Sequence, residues 1–162
     1  MITIDPPSTV SSAELAKSSL TRFLNRARTS VGLTGEVDVL LTSDAEIKTL
    51  NRTFRHKNKP TDVLSFPVPE EVFEEHAGDL AISLETAAKQ AESFGHSLGE
   101  EVRVLMLHGL LHLSGMDHET DRGEMAEKEA ELRVELKLPA TLIERVSQPA
   151  RPAKSAAKRR RT

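Results

Sequence analysis

Gly78-Asp79-Leu80-Ala81-Ile82-Ser83-Leu84-Glu85-Thr86-Ala87-Ala88-Lys89-Gln90-Ala91 runs from a β-type segment straight into a helical one. Residues 78–83 read as a strand, and a helix begins near Ser83 and stops at Gly95, a residue suited to the left-handed turn that ends helices. The same alternation of periods extends outward. Ile2–Ile4, residues 36–41 and residues 63–68 read as further strands, the last closed by Pro67. Ser11–Glu14, Ser43–Glu46, Ser97–Glu100 and Asp121–Glu124 each set a short polar residue three positions before a Glu, the signature of a capping box. They predict helices over roughly 12–29, 44–54, 98–113 and 121–136. The order is β-α-β-α-β-β-α-α-α. This is an α+β fold, a small mixed sheet of about four strands packed with about five helices.

The chain has 162 residues, 38% of them hydrophobic, with no Trp, Tyr or Cys. That length suits one catalytic-size domain, residues 1–146, plus a tail, 147–162. The core must come from Leu, Val, Ile, Ala and a few Phe. Without cysteine there are no disulfides and no thiolate metal sites, so a transition metal would need His and carboxylates. The same absence fits a reducing, cytoplasmic setting. No apolar run approaches the ~18 residues of a membrane span, and Met1-Ile2-Thr3-Ile4-Asp5 has neither a basic nor an apolar leader region. The net charge of −3 is unevenly spread. Residues 147–162 hold Arg151, Lys154, Lys158, Arg159, Arg160 and Arg161 and no acid, which leaves 16 basic against 25 acidic side chains in the body. The tail is rich in Pro, Ala and cations, too poor in apolar surface to offset the entropy of ordering, and is expected to be disordered.

The chemistry concentrates in Leu105-Met106-Leu107-His108-Gly109-Leu110-Leu111-His112-Leu113-Ser114-Gly115-Met116-Asp117-His118. His108 and His112 are four apart, a spacing that puts both rings on one face of a helix. Gly115 lets the chain turn, and His118 can fold back as a third ligand. Three neutral imidazoles favour zinc, one ion per chain, with nickel, copper, iron and cobalt chemically possible. Three protein ligands leave a position open, as catalytic sites do. Asp117 reads equally as a partner for a ligand imidazole or as a turn residue. Helical zinc peptidases carry H-E-x-x-H with the Glu as general base; Gly109 stands at that position, which disfavours peptide hydrolysis. His56, His76 and His96 read as surface or loop residues.

Residues 108–118 resemble the H-G-x-x-H-x-x-G-x-D-H signature of the YbeY family, bacterial metal-dependent endoribonucleases of rRNA maturation. Leu50-Asn51-Arg52-Thr53-Phe54-Arg55-His56-Lys57-Asn58-Lys59-Pro60-Thr61-Asp62-Val63-Leu64-Ser65-Phe66-Pro67 and Gly78-Asp79-Leu80-Ala81-Ile82-Ser83 resemble two further blocks of that family, in the same order. The match covers most of residues 1–138; the tail has no counterpart. The resemblance implies an α+β fold, zinc on His108, His112 and His118, and a catalytic role for Arg55. It implies a cytoplasmic endoribonuclease of single-stranded RNA that matures the 3′ end of 16S rRNA and serves ribosome quality control. Its partners would be an rRNA precursor and the small subunit or its proteins, with no membrane and no DNA. The chemistry also wants such an arginine, since phosphodiester cleavage builds charge on nonbridging oxygens that a guanidinium can clamp. Lys57 and Lys59 are candidate backbone contacts. Either water or the RNA 2′-hydroxyl can serve as nucleophile. Two rival readings stand beside this one: a non-enzymatic ribosome assembly factor with structural zinc, and a zinc hydrolase of another substrate class.

Overall fold

Strand Glu36–Thr42 begins with alternately exposed and buried residues, the pattern of a strand with one face on a core. It lies inside a four-stranded sheet. The structure, a computed structural model, describes residues 1–13, 15–55 and 61–139, the Arg55 side chain excepted. In chain order the elements are β1 (Ile2–Ile4), α1 (Lys17–Val31), β2 (Glu36–Thr42), α2 (Asp44–Arg55), β3 (Val63–Pro67), a 3-10 turn (Glu70–Val72), β4 (His76–Ser83), α3 (Leu84–Phe94), α4 (Leu98–Leu113) and α5 (Glu124–Leu136). This is the α+β order expected from the periodicities. Sheet order is β1-β2-β4-β3. The first three run parallel, with Ile2 opposite Val39 and Val39 opposite Leu80. Strand β3 is antiparallel at one edge, with Ser65 opposite Leu80. Among the described residues, no helix is long and apolar enough to cross a membrane.

Two layers of helix cover the sheet. Leu80 and Ile82 point into the main core, which joins Leu20 and Leu24 of α1, Leu84 of α3, Leu105 and Leu111 of α4, and Leu132 of α5. Ala81 points the other way, where Ile47 and Leu50 of α2 meet Leu64 and Phe66. Beyond its charged first turns helix α4 is mostly apolar, and it is buried along most of its length.

Two helix starts lie later than the sequence predicts. Helix α1 starts at Lys17, not near residue 12, because the Ser11 hydroxyl accepts from the Ala13 amide at 3.2 Å and closes a local turn that competes with helix. Helix α5 starts at Glu124, not 121. Gly123, at φ +104°, is its N-cap, and the Asp121–Glu124 box does not form: Asp121 accepts from the amides of Gly123 and Met125, both at 2.9 Å, and Glu124 from that of Arg122. The Ser97–Glu100 box forms in full, and the Ser43 hydroxyl accepts from Glu46 N at 3.1 Å. His76 opens β4 rather than lying in a loop, with its Nε2 3.2 Å from Asp79 Oδ1. Residues 56–60, and with them His56, Lys57 and Lys59, lie outside the described residues, as does the tail.

Gly78 shows why the helix sits where it does. Its φ is +151°, and a Cβ there would stand 2.6 Å from Leu113 Cδ2 and 2.8 Å from the Phe66 carbonyl oxygen. Gly78→Ala therefore combines backbone strain with overpacking and should cost about 2–4 kcal/mol, measured as a lowered midpoint of denaturant unfolding. An unchanged midpoint would contradict this packing.

Candidate metal centre

One turn of α4 brings His108 and His112 together, with ring centroids 4.8 Å apart. The third histidine depends on how the helix ends. Gly115 N bonds His112 O at 3.0 Å and Met116 N bonds Leu111 O at 3.2 Å, the paired bonds of a Schellman motif with Gly115 at its left-handed position, φ +102°. The chain reverses there. His118 returns with its ring 5.2 Å from His108 and 5.5 Å from His112. One ring nitrogen from each of the three lies within 4.8 Å of the others. The structure thus joins the three histidines expected to share one ion.

The surroundings suit a cation ligand set. His118 Nδ1 is buried with no hydrogen-bond partner among the described residues, a costly state for a polar atom that coordination in or beside the cluster would relieve. His108 is 5% exposed, and its Nδ1 lies 2.9 Å from Oε2 of Glu129, on α5. A carboxylate can only accept, so Nδ1 carries the proton and Nε2 keeps a free lone pair. Burial, then the neighbouring His108 and His118, hold His112 below the ordinary imidazole value of 6.5; Asp117 and the Met116 backbone oppose this. Such a ring stays neutral and able to ligate. Asp121 is held below the usual carboxylate range by the Gly123 and Met125 amides, with a smaller contribution from His118.

Glu129 escapes a reading by spacing, because α5 carries several other glutamates. A signal exists nonetheless. Met125, Glu129, Leu132 and Leu136 form the buried stripe of α5, and Glu129 takes a place where the helical period asks for an apolar residue. Asp117 proves to be an exposed turn residue, accepting from the Glu119 amide at 3.1 Å; it bears on His112 through charge alone. Asp62 accepts from Val63 N at 2.8 Å and Gln90 Nε2 at 3.3 Å, a structural tie between β3 and α3.

Gly109 is a packing residue. A Cβ there would lie 2.7 Å from Leu80 Cδ2, so the position that bears the base in zinc peptidases here faces the sheet. The Ser65 hydroxyl donates to Gly109 O at 3.3 Å, tying edge strand β3 to the metal helix. Arg55 is the last residue of α2; its side chain lies outside the described residues. Phe54, one residue earlier, is 63% exposed and meets Phe66 edge to face at 5.7 Å.

A second group, Asp38, His76 and Asp79, also brings three ligand atoms within 4.8 Å. It lies on the sheet face opposite α4, since Asp79 precedes the α4-facing Leu80. Asp38 pairs with the Met1 ammonium at 3.1 Å, and Asp79 Oδ1 lies 3.2 Å from His76 Nε2.

A family model described as "Endoribonuclease YbeY" matches residues 6–137. The chain belongs to the YbeY family. Relatives in that family, each named "Endoribonuclease YbeY", include one from Koribacter versatilis, 53% identical over 92% of this chain and 94% of the relative. Another, from Solibacter usitatus, is 49% identical over 83% and 88%, and one from Aquifex aeolicus is 46% identical over 74% and 80%. The solution structure of TM1509 from Thermotoga maritima aligns with a TM-score of 0.56 at 30% identity, covering 98% of this chain and 100% of that one. The YbeY match contains all three clustered histidines and Glu129.

The neutral state of His112 has a consequence for stability. Its folded-state pKa is lowered from 6.5, so below about that value the unfolded chain binds the extra proton first. Stability of the metal-free protein is thus present above that window and falls as pH drops through it. The loss of Tm between about pH 7 and pH 5 should be smaller in His112→Asn than in wild type; equal losses would contradict the shift.

Proposed function

We propose that this chain is a zinc-dependent endoribonuclease of single-stranded RNA, acting in maturation of the 3′ end of 16S rRNA and in ribosome quality control. The observation that carries the reading is the cluster of His108, His112 and His118 within a chain whose relatives are named endoribonucleases. An all-imidazole set with one position left open is a catalytic zinc pattern. A divalent ion bound there supplies Lewis-acid polarisation of a phosphoryl group.

The chain's own residues do the rest. Glu129 fixes the His108 ring, and the depressed basicity of His112 keeps a proton off a ligand nitrogen. Arg55, at the end of α2, clamps the charge that grows on the nonbridging oxygens in the transition state. Phe54 supplies an exposed ring on which an unpaired base can stack, an interaction that single strands offer and duplexes do not. Lys57 and Lys59 add backbone contacts to an otherwise acidic body. The basic residues of 147–162 tether rRNA by counterion release. Gly109 weighs against peptide hydrolysis, because its position faces Leu80.

The experiment pairs elemental analysis of purified protein with cleavage of an unstructured RNA and of an rRNA precursor. Wild type should carry about one zinc per chain and cleave both. His112→Ala should lose metal and cleavage together. Arg55→Ala should keep its metal and lose at least about 100-fold in kcat, while Phe54→Ala should raise KM about tenfold. Undiminished cleavage by metal-free protein would refute the metal's role. Full biological function of Arg55→Ala without cleavage would favour the assembly-factor reading.

A further inference from the structure

We infer that Glu129 is a positioning residue for the metal centre, and that through it the docking of α5 and the binding of a divalent metal reinforce each other. The inference rests on the reading that His108, His112 and His118 hold a metal. Its own observation is separate. Glu129 is fully buried, at 0% exposure, in a stripe whose other members, Met125, Leu132 and Leu136, are apolar. A carboxylate in such a place is unfavourable unless a specific partner offsets its desolvation. Among the described residues His108 is a partner of this kind, its Nδ1 2.9 Å away and its side chain 7% exposed.

The consequence follows from imidazole chemistry. A neutral ring has one protonated and one free nitrogen. With Nδ1–H turned to the carboxylate, Nε2 is free, and the hydrogen bond fixes the ring's rotation as well as its tautomer. The negative charge also makes that lone pair a better donor, a relation that typically governs metal affinity by 10–100-fold. Glu129 lies 21 residues from His108 in the chain, so this ordering is lost unless α5 is docked on α4.

The test measures Zn²⁺ affinity of the full chain by competition with a chromophoric chelator, together with the Tm shift on adding Zn²⁺ and exchange protection of the α5 amides. Glu129→Leu, which removes the acceptor from a buried site, should weaken Zn²⁺ binding 10–100-fold, shrink the Tm shift, and abolish the zinc-induced protection of α5. Glu129→Gln keeps an acceptor without the charge and should recover part of that affinity. If both variants fold and bind Zn²⁺ as tightly as wild type, Glu129 is a structural residue only and the inference fails. If Glu129→Leu does not fold, Glu129→Gln with wild-type affinity overturns it alone. Wild type that takes up no Zn²⁺ would instead overturn the metal reading beneath it.

Discussion

Helix α4 approaches strand β4 closely because a glycine stands at both contact points, Gly109 against Leu80 and Gly78 against Leu113. Each removes a Cβ that would otherwise push the helix outward. The rest of the centre depends on this seating. It brings the apolar length of α4 into the core, leaves its C-terminal half to carry His108 and His112, and sets the Schellman reversal at Gly115 where His118 can return. Strand β3 is drawn to the same helix through Ser65. The edge strand that follows the Arg55 block is therefore attached to the metal helix directly.

The buried His108–Glu129 pair gives the opposite side of the centre its rigidity. A charged group inside an apolar stripe destabilises a helix that has no partner for it. The same group favours the docking of α5 that brings it to His108. The cluster thus lies between the helix that carries His108 and His112 and the helix that carries Glu129. Its distances are consequences of core packing on both sides, rather than properties of a flexible loop.

Much of this was legible in the sequence. The element order, the four strands and the three-histidine cluster all follow from period and spacing, because those properties are local. The helix starts at Lys17 and Glu124 were less legible. Ser11 and Asp121 use their side chains on nearby amides, and a polar residue three before a Glu does not reveal which amide it will serve. Gly109 was readable as a missing base. That its position faces Leu80 is a tertiary fact, set by which side of α4 meets the sheet. Glu129 is the instructive omission. Its residue type says surface, its place in the stripe of Met125, Leu132 and Leu136 says core, and only a partner far along the chain resolves the conflict.

Under the proposed function His108, His112 and His118, and no other protein group, hold the metal with a position left open. X-ray absorption of the zinc-loaded protein at the metal edge reads this shell. One ion with three imidazole nitrogens at about 2.0–2.1 Å and one non-protein oxygen is expected. A spectrum with a fourth protein ligand would make the site structural. A mixed carboxylate–imidazole shell, as Asp38, His76 and Asp79 would give, would contradict the assignment altogether.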